Sequence, residues 1–153
     1  MLLYPKLNKH QPICVHQRSS ACISGSNKKK YPTKMQITQS LHSAILISNL
    51  EKSQHFYSTV LRLQKIDRDL KFPGIWYQIG DFQLHLILAA TIIPDAVDHA
   101  KWGRNRHLAF SVANLEAAKQ QLIAHNCPFQ MSASGRSALF TQDPDGNIIE
   151  LSE

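Results

Sequence analysis

The chain has 153 residues, 43% of them apolar and 18% charged, a balance that suits one domain with a sizeable core and excludes a disordered or fibrous protein. Its net charge of +6 is unevenly spread: residues 1–34 carry seven Lys and Arg and no acid, whereas the remainder carries ten basic residues against eleven acids. A domain so close to neutral is not a nucleic-acid binder or a ligand for anionic membranes, and no stretch approaches the roughly 18–20 apolar residues that span a bilayer.

Residues 1–34 show no apolar periodicity and include Pro5, Pro12, Pro32 and the run Lys28-Lys29-Lys30. They read as a disordered basic extension. A start codon assigned too early, with Met35 as the true start, is the preferred account. The basic, acid-free composition also fits an organelle transit peptide. Cys14, Cys22 and Cys127 are odd in number, which argues against a complete disulfide framework and for reduced thiols in the cytoplasm.

The domain is expected over residues 35–153. A strand carries His42, Ala44 and Leu46 on one face and Ile45 and Ile47 on the core face. A helix follows from Asn49, a plausible N-cap, with Ser48 and Glu51 as an alternative capping box. It should run to about Leu61 and bury Phe56, Tyr57, Val60 and Leu61. Ile75–Ile79 and Gln83–Leu88 form two strands around the hairpin turn Gly80-Asp81. Residues 91–104, with Pro94 and Gly103, are the linker between a first module at 38–90 and a second at 105–153.

The second module repeats the plan. Leu108, Phe110 and Val112 face a core, while His107, Ala109 and Ser111 face the other way. Asn114 caps a helix showing Leu115, Ala118 and Leu122 at helical spacing. Ser137–Gln142 and Asn147–Leu151 flank the turn Asp143-Pro144-Asp145-Gly146.

Residues 42–51, HSAILISNLE, align with residues 107–116, HLAFSVANLE, at an offset of 65. The same offset carries His85 onto Glu150, so each half offers a ligand-type side chain early in its first strand and another 43 residues later. His85 and Glu150 are polar residues inside otherwise apolar strands, and a buried imidazole or carboxylate needs a partner. Metal binding is the one role that explains His42, His85, His107 and Glu150 together. Three imidazoles and a carboxylate suit Zn, Ni, Co, Mn or Fe with open positions for water or substrate. The other histidines have no such relation. Arg104 and Arg106, just before the His107 strand, read as solvated linker charges, with contact to an anionic substrate as the rarer use.

These residues resemble the vicinal-oxygen-chelate superfamily of glyoxalase I, bleomycin-resistance proteins, methylmalonyl-CoA epimerase and extradiol dioxygenases. The likeness rests on Leu50-Glu51-Lys52-Ser53 with Phe56-Tyr57, on Arg106-His107-Leu108-Ala109-Phe110, and on Asp143-Pro144-Asp145-Gly146-Asn147 through Ile149-Glu150-Leu151. It implies an α+β fold in which paired β-α-β-β-β modules form a cupped mixed sheet around one divalent metal ion per site. It places His42, His107 and Glu150 at the ligand positions and His85 where glyoxalase I carries a glutamate. It also implies a homodimer whose sites are shared between subunits, although the linker is long enough for the two halves to pair within one chain. Leu46 and Ala89 stand where glyoxalase I carries an arginine and an asparagine that hold glutathione, so the glutathione hemithioacetal is not the expected substrate. The expected function is a metal-dependent lyase or isomerase acting on a small substrate with vicinal oxygens, His85 and Glu150 taking part in the chemistry. An extradiol dioxygenase, with His-His-Glu iron and His85 as acid–base, is the alternative. A non-catalytic small-molecule-binding protein is the second.

Overall fold

The computed structural model describes residues 34–69 and 71–153; the expected basic extension lies almost wholly outside the described residues. Thr38–Glu153 forms one compact unit.

The strand β1 (His42–Ile47) leads into helix α1 (Leu50–Gln54), which widens into a π-helical turn over His55–Val60. Asn49 is the cap: its side chain accepts from the Lys52 backbone N–H at 2.9 Å. Ser48 makes no capping box and bonds elsewhere. The widening is marked by the Leu61 N–H donating to Phe56 five residues back, at 2.9 Å. Phe56, Tyr57 and Val60 are buried as expected, whereas Leu61 is only partly so. Three strands follow, β2 (Gln64–Ile66), β3 (Gly74–Ile79) and β4 (Phe82–Leu88), and the sheet order is β1-β4-β3-β2.

After a 3-10 turn at Trp102–Arg104 the plan recurs. It comprises β5 (Leu108–Ser111), α2 (Leu115–Ala124), β6 (Phe129–Met131), β7 (Ala138–Gln142) and β8 (Ile148–Ser152), in the order β5-β8-β7-β6. Asn114 caps α2 by accepting from the Ala117 N–H at 2.7 Å. In each sheet the first strand runs parallel to the last and the other pairs are antiparallel. The sequence repeat is therefore a repeat of topology, and the α+β fold of two β-α-β-β-β modules is confirmed.

The two halves share one core. Ile47, Tyr57, Leu84 and Leu86 from the first and Leu122, Leu139, Ile149 and Leu151 from the second belong to a single buried cluster. The turn before β8 adds polar ties to the first module. The Tyr57 hydroxyl donates to Asp143 Oδ2 at 2.9 Å, the Asn147 side-chain amide donates to the Leu46 carbonyl at 3.0 Å, and the Ser48 N–H donates to Asp145 Oδ2 at 2.9 Å. Burial raises the Tyr57 phenol well above its usual range, with the Asp143 charge adding to it, so the phenol stays a donor. Among the described residues no helix is long and apolar enough to cross a membrane.

Candidate active site

Strand alternation puts the ligand-type side chains on the face away from the core. In the second sheet β8 buries Ile149 and Leu151 in the shared core and turns Glu150 to the opposite face. His107, just before β5, meets it there, with His107 Nε2 3.0 Å from Glu150 Oε2. The other ring nitrogen, Nδ1, lies 2.7 Å from the Asn105 carbonyl oxygen. A carbonyl only accepts, so Nδ1 carries a proton and Nε2 is the nitrogen turned to the carboxylate. Arg136 Nη2 reaches Glu150 Oε1 at 3.2 Å, so both carboxylate oxygens face a nitrogen. Phe140, on the neighbouring β7, sets its ring edge-on to His107 at 5.4 Å between centroids.

The first sheet holds a matching pair. Parallel pairing sets His42 opposite Gln83 and Ala44 opposite His85, which brings His42 and His85 to the same face. Trp76, the β3 partner of His85, stacks on the His85 ring at 4.2 Å and 11°, and lies 5.3 Å from the His42 ring. The Arg68 guanidinium sits over the Trp76 ring at 4.1 Å and donates to Gln83 Oε1 at 2.7 Å. Partial burial lowers the His85 pKa, helped by the charges of His42 and Arg68. Its neutral, lone-pair-bearing form is thus favoured. Gly74 makes room for this arrangement: a β-carbon there would lie 2.6 Å from the Leu86 carbonyl oxygen and 3.2 Å from His85 Nε2.

The four predicted ligands thus form two pairs, one on each sheet. A single chain does not gather them: among the described residues no three His, Cys, Asp or Glu side chains converge to hold a metal ion. The geometry of the second pair nevertheless suits one. The 3.0 Å His107–Glu150 spacing is that of a direct ion pair, and it is also about the separation of two adjacent ligand atoms roughly 2.1 Å from an octahedral ion. The Asn105 carbonyl supplies the outer contact that fixes the tautomer of a ligating histidine.

Residues 39–151 match the sequence profile of the glyoxalase/bleomycin resistance protein/dioxygenase superfamily. The chain belongs to this superfamily. Solved structures agree on the fold. A glyoxalase family protein from Bacillus anthracis superposes with a TM-score of 0.65 at 21% identity, covering 77% of this chain and 96% of that one. The fosfomycin resistance protein FosX from Listeria monocytogenes gives 0.62 at 12%, covering 77% and 91%. Lactoylglutathione lyase from Agrobacterium tumefaciens gives 0.56 at 19%, covering 76% and 93%. No curated protein matches in sequence. At these identities the likeness carries the superfamily fold and not an activity.

Within that fold Trp76, Arg68 and Arg136 escape the sequence reading. Trp76 was legible in principle, because the two-residue turn at Gly80-Asp81 pairs Ile79 with Phe82 and hence Trp76 with His85. Arg136 was not, because it sits in the irregular stretch between β6 and β7. Arg106, grouped with Arg104 in the sequence, pairs with Asp95 at 2.9 Å, whereas Arg104 lines a cavity beside the second pair.

Proposed function

We propose that the protein is a divalent-metal-dependent enzyme, a glyoxalase-like lyase or isomerase acting on a small substrate with vicinal oxygens. Its site is completed by two copies of the chain. The observation that carries this reading is the His107–Glu150 pair, spaced at 3.0 Å with the histidine tautomer fixed from behind. His42 and His85 occupy the corresponding face of the other sheet. That face is open: His42 and Ala44 are exposed, Leu46 is 44% exposed, and Ile87 opposite it is only half-buried. Apolar side chains left open beside two histidines favour a homodimer that closes the pair of one chain over the pair of the other.

Zn, Ni, Co, Mn or Fe suits a set of three imidazoles and one carboxylate. Such an ion, when bound, supplies Lewis acidity toward vicinal oxygens. The chain's own residues do the rest. Arg136 and His107 orient the buried Glu150 side chain, whose carboxylate is the group placed to take part in proton transfer with the substrate. Trp76 fixes the plane of the His85 ring. Leu46 and Ala89 offer no polar group to glutathione.

A second reading keeps His42, His107 and Glu150 as iron ligands of an extradiol dioxygenase and makes His85 the acid–base. The lowered His85 pKa keeps the imidazole neutral, as either role requires, and what favours this second reading is that His85 stands on the other sheet from the His107–Glu150 pair. Metal content and turnover of His85→Ala, with dioxygen uptake on catechols, decide between them. Steep loss of metal affinity is expected. Retained iron with lost turnover and dioxygen uptake by the parent selects the dioxygenase. A parent chain that binds no metal selects a small-molecule-binding protein, and brisk lactoylglutathione formation refutes the substrate assignment.

A further inference from the structure

A cavity of about 380 Å³ lies between the Trp102–Arg104 turn, β6 and residues 132–136, with Phe140 in its wall. Three cationic side chains line it, Lys101, Arg104 and Arg136, and none of its lining residues is acidic. Among the described residues neither Lys101 nor Arg104 forms an ion pair. The nearby acid Asp98 is occupied in capping the Ala100 and Lys101 backbone N–H groups, at 3.0 and 2.9 Å.

The cavity is a defined place. The Trp102 N–H donates to Gln130 Oε1 at 3.1 Å, and the Gln130 amide donates to the His99 carbonyl at 3.2 Å, tying the turn to β6. Gly103 lies so close to Phe140 that a β-carbon would fall 2.6 Å from its Cζ. The cavity also adjoins the candidate metal ligands. Phe140 also stands edge-on to the His107 ring, and Arg136 reaches from the cavity to Glu150 Oε1.

Like charges gathered around a half-open cleft repel one another unless an anion joins them, and planar guanidinium groups match the oxygens of carboxylates and phosphates. We propose that this cavity is the anion subsite of the active site, holding the carboxylate or phosphate group of a small substrate whose vicinal oxygens lie at His107 and Glu150. The assignment rests on the reading of that pair as metal ligands. The substrate is thereby narrowed to an acidic small molecule. Lys101 and Arg104 select its charge, and Arg136 spans the anionic group and the reacting end.

The test is calorimetric titration of the full chain with inorganic phosphate and with succinate at low ionic strength, beside a separate titration with nickel. Lys101→Gln/Arg104→Gln changes two exposed side chains, and its thermal melt checks that the fold is kept. Arg106→Gln, which removes the partner of Asp95 outside the cavity, is the control for net charge. Binding of one anion that weakens at least tenfold in the double variant and is kept in the control bears the proposal out, and the tighter anion identifies the substrate's charged group. Equal binding by parent and double variant, equal weakening in the control, or no binding of either anion overturns it, while nickel binding by the parent leaves the proposed function standing. A parent that binds no nickel overturns the metal reading and with it the subsite's role, whatever phosphate does.

Discussion

Replacing Asp143 by alanine should show how the second module's last turn is locked to the first. Asp143 accepts from the Tyr57 hydroxyl at 2.9 Å, from the backbone N–H groups of Asp145 and Asn147 at 2.9 Å each, and from the Asn147 side chain at 2.8 Å. Tyr57 is fully buried, so without Asp143 its hydroxyl has no acceptor, a penalty of about 1–3 kcal/mol. The lost bonds within the turn bring the expected cost to about 3–5 kcal/mol. Tyr57→Phe removes the same bond but leaves Asp143 three donors and no orphan, so it should cost only about 1–2 kcal/mol. For a domain of this size each kcal/mol lowers the melting temperature by roughly 3–6 °C. Thermal and urea unfolding at pH 7, followed by circular dichroism, should therefore separate the two variants clearly. The double variant decides the matter: once Tyr57→Phe has removed the hydroxyl there is nothing left to strand, so the double variant should be no less stable than Asp143→Ala alone. Strict additivity of the two costs, or an Asp143→Ala loss below that of Tyr57→Phe, would refute the reasoning.

A chain beginning at Met35 should melt within a few degrees of the full chain and bind nickel equally, because the omitted residues carry no part of the repeat; a large loss of either would show that they dock on the domain. His85 should make stability pH-dependent. Its folded pKa lies below the ordinary 6.5, so the folded chain binds fewer protons than the unfolded one just below that value. Its contribution is complete above pH 6.5 and is lost as pH falls toward the folded value. His85→Gln should flatten that limb of the stability–pH profile, and an unchanged slope would count against the assignment. Gly74→Ala should weaken metal binding as well as stability, since the added methyl group presses on His85 Nε2 and the Leu86 carbonyl; unaltered affinity would mean that His85 has room to move.

Much of the fold was legible because its signals are local and repeated. The alternation in β1, β4, β5 and β8, the caps at Asn49 and Asn114, and the turn residues at Gly80 and Gly146 each fix one element, and the offset of 65 residues ties them together. The three-residue edge strands Gln64–Ile66 and Phe129–Met131 were not placed, because so short a run has no readable period. The π-helical widening after Gln54 left no sequence signal either, since the same apolar residues are buried on either helix type. The repeat also slips where the two hairpins differ. Trp76 pairs with His85 and Phe140 with Glu150, so β3 and β7 correspond at an offset of 64 and β4 and β8 at 65. The longer turn through Asp143–Asn147 absorbs the extra residue, and its side chains form the ties to the first module.

For the site, the sequence identifies the ligand types and their strands but not their convergence. Alternation says that His85 and Glu150 leave the core; it does not say whether the two faces meet within one chain. The structure sets the four residues in two pairs and adds Trp76, Arg68 and Arg136 around them. Arg136 was out of reach of any pattern, because a loop cation has no periodicity to fix where it points.

The most direct test of the shared metal site is nickel stoichiometry of His42→Ala, His107→Ala and an equimolar mixture refolded together. Each variant alone should bind little nickel. In mixed dimers one site combines the intact first module of the His107→Ala chain with the intact second module of the His42→Ala chain, so the mixture should regain a high-affinity site that neither variant possesses. Full occupancy in His107→Ala, or a mixture that binds no more than its components while the parent binds one ion per chain, would contradict the account.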